Sequence, residues 1–434
     1  MSGSHTVVVG AGVVGVCTAY YLARRGHEVT LLDKGDIGSG ASFGNAGIIA
    51  PGHPPLPRPG LIKQAIKWMF DSASPLYIPP RLDRRLLSWL WEFRRACTHV
   101  HEIHCMKILA RLGRESLACF DQLVSEERIG CEYQRRGWME VFRTTAGLET
   151  GRRDAELVRR FGFEAEVLSP EALRDCEPAL RPGAAGAVRY VDSATADPHR
   201  FVVELADRAR GHGAVVRPHT DVGEILFRNG RVAGVRIGGG ERIAADTLVL
   251  AAGTWTTRLA ETIGLHIPMQ PGKGYHLNLV APDPCPRSAC VLGEVYVAAT
   301  PMGGGLRLAG TMEFSGLNHR LHRRRLEMLV AGARKYLAGI DEARPISTWC
   351  GLRPCTADGL PVVGWARDVP GVLVATGHAR MGFTLGPVTG KLISECIVDG
   401  EPSIDLDPLR VERFVRAGGD VRRRRHLGVV PSAP

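Results

Sequence analysis

The sequence predicts an α/β fold, α+β overall once its inserted segments are counted. Three observations predict it. Residues 6–9 form a short β-branched run that passes through a glycine turn into an apolar stretch with helical spacing at residues 13–24, and residues 28–32 follow as a second strand. Two more short apolar runs, residues 247–251 and 372–376, read as buried strands of the same sheet. The stretches between them alternate strand and helix patterns that the opening unit does not need. An α/β unit therefore starts the chain, returns in its middle and closes it, and the inserted pieces form a second domain.

The elements follow in order. Gly26 stands where the first helix should stop, and the second strand ends at Asp33. A glycine-rich loop (residues 38–52) and a proline-rich patch (51–59) come next. Leu61, Ile62, Ala65, Ile66, Met69 and Phe70 then recur at helical spacing within a long, mostly helical stretch. A further helix is expected over residues 102–128, a strand at 137–143 and a helix at 154–161. Asp197-Pro198 opens an amphipathic helix that runs to Arg210. Strands are expected at 214–217, 221–227, 231–237, 275–280, 294–299 and 305–310, and the last helix at 387–398.

With 434 residues, two or three globular units are expected. Composition is ordinary for a folded protein, 44% hydrophobic and 23% charged, and no apolar run is long enough for a spanning helix. The first strand begins at Thr6, which leaves no room for a cleavable leader, so a cytoplasmic chain is expected. Its eleven cysteines, spread out and without a CxxC pair, are expected to be reduced. The net charge of +10 is local. Residues 58–114 hold eleven Lys/Arg against four Asp/Glu, and residues 410–426 hold seven Arg against two acids, so the remainder is slightly acidic. That distribution argues for a particular basic surface and against nucleic-acid binding.

The chemistry begins at Gly10-Ala-Gly12-Val13-Val14-Gly15, set between strand and helix. The first two glycines permit a tight turn and close approach to a pyrophosphate. The third lets helix and strand pack, and the helix N-terminus faces the negative charge. Asp33, eighteen residues past Gly15, is placed to accept hydrogen bonds from an adenosine ribose. The fingerprint does not choose between FAD and NAD. In residues 38–47, seven of ten are Gly, Ser or Asn, and such a loop could follow an extended ligand from pyrophosphate to a ribityl chain.

Five segments then fall in the order found in FAD-dependent amine oxidoreductases: the fingerprint, SFGNAGIIAPG (42–52), LVLAAGTW (248–255), GLRPCTADGLPVVG (351–364) and ATGHARMGFTLGPVTGKLI (375–393). The chain resembles this D-amino acid oxidase-like superfamily over nearly its whole length. AIKWMF (65–70) and PGKGY (271–275) make it most similar to the small-subunit type of bacterial D-amino acid dehydrogenases. The resemblance implies a p-hydroxybenzoate-hydroxylase-like architecture, a Rossmann-type FAD-binding domain with an inserted antiparallel-sheet and helical substrate domain. The expected FAD-binding pieces are residues 1–57, 191–268 and 346–415. The expected substrate pieces are 58–190 and 269–345, with a basic tail at 416–434.

Non-covalent FAD is the implied cofactor. Its expected ligands are Gly10, Gly12, Val13, Val14, Gly15, Asp33, Lys34, Gly40, Ala41, Ser42, Asn45, Ala46, Gly47, Ile49, Val222, Ala252, Gly253, Trp255, Gly377, His378, Met381, Gly382, Phe383 and Thr384. A glycine turn at 382–386 is expected to feed the last helix, whose N-terminus would stabilise an anionic reduced ring. His378 is expected to serve through its backbone instead of as a base. Arg353, in GLRP, matches the family's carboxylate-pairing arginine, and Tyr296, in GEVYVAA, the tyrosine that supports the same carboxylate. A guanidinium fork suits a carboxylate, and Pro354 biases Arg353 to an extended backbone. Tyr275 is a third candidate.

The implied reaction is oxidation of a D-amino acid at Cα–N by hydride transfer to flavin N5, with hydrolysis to a 2-oxo acid and ammonia and electrons leaving to a quinone or respiratory carrier. A cyclic imino acid such as D-hydroxyproline or D-proline, glycine or sarcosine is the alternative substrate, and a FAD electron-relay subunit the alternative role. A NAD-binding regulator is the rival from outside enzymes. The Cys97, His99, His101, His104 and Cys105 stretch tempts a metal reading, but no second ligand pair accompanies it, so no metal is assigned. Trp68, Trp89, Trp91, Phe70 and Phe93 with the local Lys/Arg surplus suit either peripheral contact with the inner face of a membrane or an ordinary amphipathic lid.

Overall fold

The computed structural model describes residues 4–69 and 74–414. Phe70 and the tail at 416–434 lie outside the described residues. The chain divides into two compact units: Met1–Ser39, Val202–Met269 and Pro354–Pro434 form one, Gly40–Phe201 and Gln270–Arg353 the other.

The first unit is built on a six-stranded sheet in the order Val362–Trp365, Val372–Thr376, Thr247–Leu250, His5–Val9, Glu28–Leu32, Val215–Arg217. Five of these strands are parallel and the Val362–Trp365 edge is antiparallel. Parallel strands are buried on both faces, which is why they read as unbroken Val/Leu runs. His5–Val9 lies between a strand that follows it at once and one from mid-chain. Strand order thus reverses there, and in such sheets the crevice at the strands' carboxyl ends takes the ligand. Helices Val13–Arg24 and Gly382–Val398 pack closely because Gly386 and Gly390 admit them. A Cβ on Gly386 would fall 2.6 Å from Val13 Cγ2, and one on Gly390 2.5 Å from the Cys17 carbonyl carbon. A separate three-stranded sheet, residues 222–244, packs into the same core.

The second unit carries a nine-stranded mixed sheet whose path runs Pro345–Thr356, Met269–Val280, Gly305–Glu313, Val297–Met302, Ala289–Leu292, Trp138–Phe142, Gly186–Tyr190, Ala165–Leu168, with Leu76–Tyr77 beside Gly305–Glu313. Its core gathers Tyr275, Leu277, Leu292, Leu308, Tyr336 and their neighbours. Residues 40–57, 191–201 and 346–353, expected in the first unit, fall in this one. Ile48–Ile49 pairs antiparallel with Ala194–Thr195, and Gly113 of the long helix His99–Glu126 lets that helix close on the Pro51 backbone.

Several expectations need correction. The long helical stretch is broken at Cys97–Thr98: Asp83 caps Arg84–Ala96, and Thr98 caps His99–Glu126. Cys97 therefore lies off the helix that carries His101 and His104, and among the described residues no three His, Cys, Asp or Glu side chains converge on a metal position. The helix expected at 154–161 starts at Thr145, behind a Thr144 cap. The strand expected at 275–280 begins at Met269, and strands Ala165–Leu168, Gly186–Tyr190 and Ala289–Leu292 were not foreseen, each being too short to show a period. Trp89 and Phe93 are core side chains, stacked 4.9 Å apart, so among the described residues the exposed aromatic of those proposed for a membrane face is Trp91. No helix among the described residues is long and apolar enough to cross a membrane.

Candidate functional site

In the first unit the glycine fingerprint is fitted by sterics. Gly10 has φ +108°, and a Cβ there would lie 2.5 Å from the Ala251 carbonyl oxygen. A Cβ on Gly15 would lie 1.8 Å from the Gly10 carbonyl oxygen. Gly12 caps helix Val13–Arg24 and offers no side-chain acceptor, so an anion can take that place. Val13 and Val14 open the helix. Asp33 holds the turn closed: its carboxylate accepts from the Ala11 N–H at 2.6 Å and the Gly35 N–H at 2.8 Å. A carboxylate accepts about four hydrogen bonds, so capacity for a ribose remains. Lys34 stands 3.9 Å above the Trp255 ring, and burial lowers its pKa. Val222 opens its own strand, and Ala252 and Gly253 form the turn after Thr247–Leu250, with Gly253 at φ +54°.

The closing motif belongs to the same unit. Gly377 has φ +80°, and a Cβ there would strike Thr356 Cγ2 at 2.6 Å. His378 is buried. Its Nε2 lies 3.0 Å from Thr389 Oγ1, which itself donates to the Leu385 carbonyl, so the imidazole donates through Nε2. Burial drives its pKa down to about 4, and the neutral ring braces a helix instead of moving protons. Met381 precedes a helix that starts at Gly382, five residues before the expected start, so Phe383 and Thr384 lie in its first turn. Pro387 sits in the second turn of this helix, where it removes one helix hydrogen bond.

The glycine-rich loop, with Gly40, Ala41, Ser42, Asn45, Ala46, Gly47 and Ile49, is held within the second unit. Buried Arg307 donates through Nη1 to the Phe43 and Asn45 carbonyls (3.3 and 2.8 Å) and through Nε to Asn278. His276 Nδ1 lies 3.3 Å from the Gly44 carbonyl, and Trp349 stacks on His276, with ring centroids 5.2 Å apart. Gly44 leaves room for that indole, since a Cβ would meet it at 1.9 Å. Gly47 turns at φ +77° and accepts from the Ala196 N–H. Burial, then the Arg307 charge, lowers the His276 pKa to about 4. Sequence reading missed Arg307, His276 and Trp349. The available signal was a charge set between two leucines in Leu306-Arg307-Leu308, all three of which are buried.

The carboxylate candidates are also in the second unit. Arg353 lies on strand Pro345–Thr356, extended as Pro354 requires, and its Nη1 donates to the Thr311 carbonyl at 2.8 Å. Tyr296 is not in a strand, as expected, but ends the turn Gly293–Val295 with φ +53°. Its ring meets Trp68 edge-on at 5.2 Å, and its hydroxyl accepts from Gln64 Nε2 at 3.1 Å. Burial raises its pKa, which keeps the phenol a donor. The Tyr296 backbone reaches the strand that holds Arg353: its carbonyl oxygen lies 2.8 Å from where a Gly310 Cβ would be, one residue before Thr311. Tyr275 is different. Its ring is in the core, and its hydroxyl donates to Glu313 Oε2 at 2.8 Å. Glu313 in turn pairs with buried Lys273 at 3.1 Å. A hydroxyl that has given its proton to one carboxylate has none for another, so Tyr275 drops out of the candidates.

Comparison with known proteins gives three findings. The family model described as "FAD dependent oxidoreductase" (DAO) matches residues 5–396. A D-amino acid dehydrogenase of Methylobacterium nodulans is 34% identical over 421 residues, 95% of this chain and 100% of its own. Among solved structures, glycine oxidase from Geobacillus kaustophilus is similar with a TM-score of 0.78 at 25% identity, covering 95% of this chain and 100% of that one. L-proline dehydrogenase from P. horikoshii shares the fold at a TM-score of 0.74 and 20% identity, covering 95% and 98% of the two chains.

Proposed function

The chain belongs to the FAD-dependent oxidoreductase family, and from that premise we propose that it deaminates D-amino acids oxidatively, with Arg353 pairing to the substrate carboxylate. FAD is its cofactor, and the N-terminus of helix Val13–Arg24, which Gly12 leaves without a side-chain cap, accords with a pyrophosphate seated there. The observation that carries the substrate reading is the half-buried Arg353 guanidinium, whose Nη1 is held at 2.8 Å by the Thr311 carbonyl. Two parallel N–H groups match a carboxylate in charge and geometry, and the Tyr296 hydroxyl adds a donor. The 34% identity to a D-amino acid dehydrogenase supports the choice of enantiomer.

The chain's own residues bind and orient. Arg353 and Tyr296 fix the carboxylate, and neutral His378 and the glycine turns shape the cofactor's bed. Bound flavin supplies the two-electron acceptor for the Cα hydride, and hydrolysis of the imino acid yields 2-oxo acid and ammonia. Holding reacting atoms in near-attack geometry can itself lower the barrier by roughly 7–11 kcal/mol, so a strong general base is not required. Dye-coupled turnover across matched D- and L-amino acids, glycine, sarcosine and cyclic imino acids tests the reading. Faster turnover of D-amino acids supports it; a preference for glycine or an L-imino acid replaces it with the activity in the name of a structural relative.

We place electron delivery at a membrane quinone. Its support is the outward face of helix Arg84–Ala96, where Leu87 and Trp91 are exposed among Arg84, Arg85, Arg94 and Arg95, with Leu82 and Val100 exposed beyond its ends. Apolar side chains ringed by arginine suit an anionic bilayer surface. Equal sedimentation with anionic and neutral vesicles at low salt would remove this part.

A further inference from the structure

We infer that Gly274 and Thr311 are positioning residues that seat the Arg353 guanidinium, so that substrate choice is set partly by a missing side chain and a strained bulge. The inference rests on the assignment of Arg353 to the substrate carboxylate.

Three observations meet at that seat. A Cβ on Gly274 would lie 2.3 Å from Arg353 Cζ, Nη1 and Nη2 alike, so the guanidinium occupies the space a side chain would fill. Gly274 is not among the glycines with positive φ; its value here is room, not conformational freedom. Opposite it the ladder slips. Lys273 pairs with Glu313 and Tyr275 with Gly310, which leaves Thr311 and Met312 together facing Gly274. The slip turns the Thr311 carbonyl toward Arg353 Nη1 at 2.8 Å, with Met312 Sδ 3.8 Å from the same nitrogen.

Thr311 bears a cost for this. Its φ is +62°, a conformation that β-branched residues avoid, and its hydroxyl is buried with no hydrogen-bond partner. Such strain persists only where neighbours over-determine the backbone, and here they do. Gly310 is paired on both sides, with Tyr275 and Val297. Met312 donates its N–H to the Pro75 carbonyl, and Glu313 is fixed by Lys273 Nζ at 3.1 Å and the Tyr275 hydroxyl at 2.8 Å. The buried Lys273–Glu313–Tyr275 network thus acts as an anchor for the bulge. Strand alternation sets it on the face of the sheet away from the guanidinium, because residues 273 and 275 point opposite to 274.

The test uses the FAD-loaded enzyme. In Gly274→Ala the new methyl displaces Arg353 without adding backbone strain. Displacement by about 1 Å should lower kcat/KM for the best amino acid on the order of a hundredfold, mainly through KM. Flavin content and Tm should hold, and turnover of the corresponding amine lacking a carboxylate should not change. Thr311→Gly tests the strain separately, through Tm alone: it keeps the positive φ while removing the β-branch and the unpaired hydroxyl, so Tm should rise. Unchanged amino-acid kinetics in Gly274→Ala, equal losses on amino acid and amine, or a lowered Tm in Thr311→Gly would each overturn the inference. Arg353→Met in the same assays separates the two levels. If it discriminates amino acid from amine while Gly274→Ala does not, the seat alone fails; if it does not discriminate, the carboxylate assignment fails and the seat with it.

Discussion

Replacing Arg353 with Met keeps most of the side chain's length and removes its charge and all five donors. What is lost is a charge-assisted contact to the substrate carboxylate, and the structure sets its size. Truncating one member of a buried, hydrogen-bonded charge pair costs about 2–5 kcal/mol. Arg353 is half-buried, which places it in the lower part of that range, about 2–3 kcal/mol. At 1.36 kcal/mol per decade, kcat/KM should fall roughly 30- to 150-fold on a D-amino acid. The flavin complement should be unaffected, since the fingerprint, Asp33 and the Gly377 turn lie in other segments of the chain. Steady-state turnover with an artificial acceptor, alongside the flavin absorbance of the purified variant, measures both quantities. An Arg353→Met enzyme with full flavin and near-normal kcat/KM on its best amino acid would refute the reasoning.

Other perturbations have equally definite outcomes. Gly10→Ala forces a Cβ within 2.5 Å of the Ala251 carbonyl at φ +108° and should purify without flavin, whereas Asp33→Ala should retain part of it; absorbance ratios of the two preparations decide. Tyr275→Phe removes a hydrogen bond to the Glu313 carboxylate, so denaturant titration should show a loss of about 1.5–3 kcal/mol while KM stays at the wild-type value. A raised KM without loss of stability would return Tyr275 to the substrate site. His276 and His378 are held neutral, with folded pKa values of about 4. An unfolded histidine titrates near 6.5, so the stability each contributes is intact above that pH and is lost as pH falls toward 4, up to about 3 kcal/mol apiece. Denaturant titrations down this range should show a steep decline that His276→Asn makes shallower.

The parallel sheet of the first unit was legible because its strands are apolar on both faces and its turns are glycine. Residues 6–9, 28–32 and 372–376 carry that pattern within single short windows. The second unit was less so. Strands such as Ala289–Leu292 have four residues and pair with partners far along the chain, here residues 138–141, and nothing local announces them. The same distinction governs the functional residues. Gly10, Gly12, Gly15 and Asp33 work through a local turn that spacing reveals. Arg307 grips a loop more than 260 residues earlier, and Gly274 matters because of a guanidinium on the next strand. Tyr275 misled for the same reason, because its Glu313 partner is visible only once the two strands pair.

The measurement that bears most directly on the account is anaerobic reduction of the bound flavin by single amino acids. The account predicts that the purified protein carries FAD and that the absorbance of its oxidised flavin bleaches with a D-amino acid, much more slowly with the L-enantiomer. It further predicts that bleaching by the D-enantiomer slows in Arg353→Met. A FAD-loaded protein that no amino acid or imino acid reduces, or one that Arg353→Met leaves equally reducible, would contradict it.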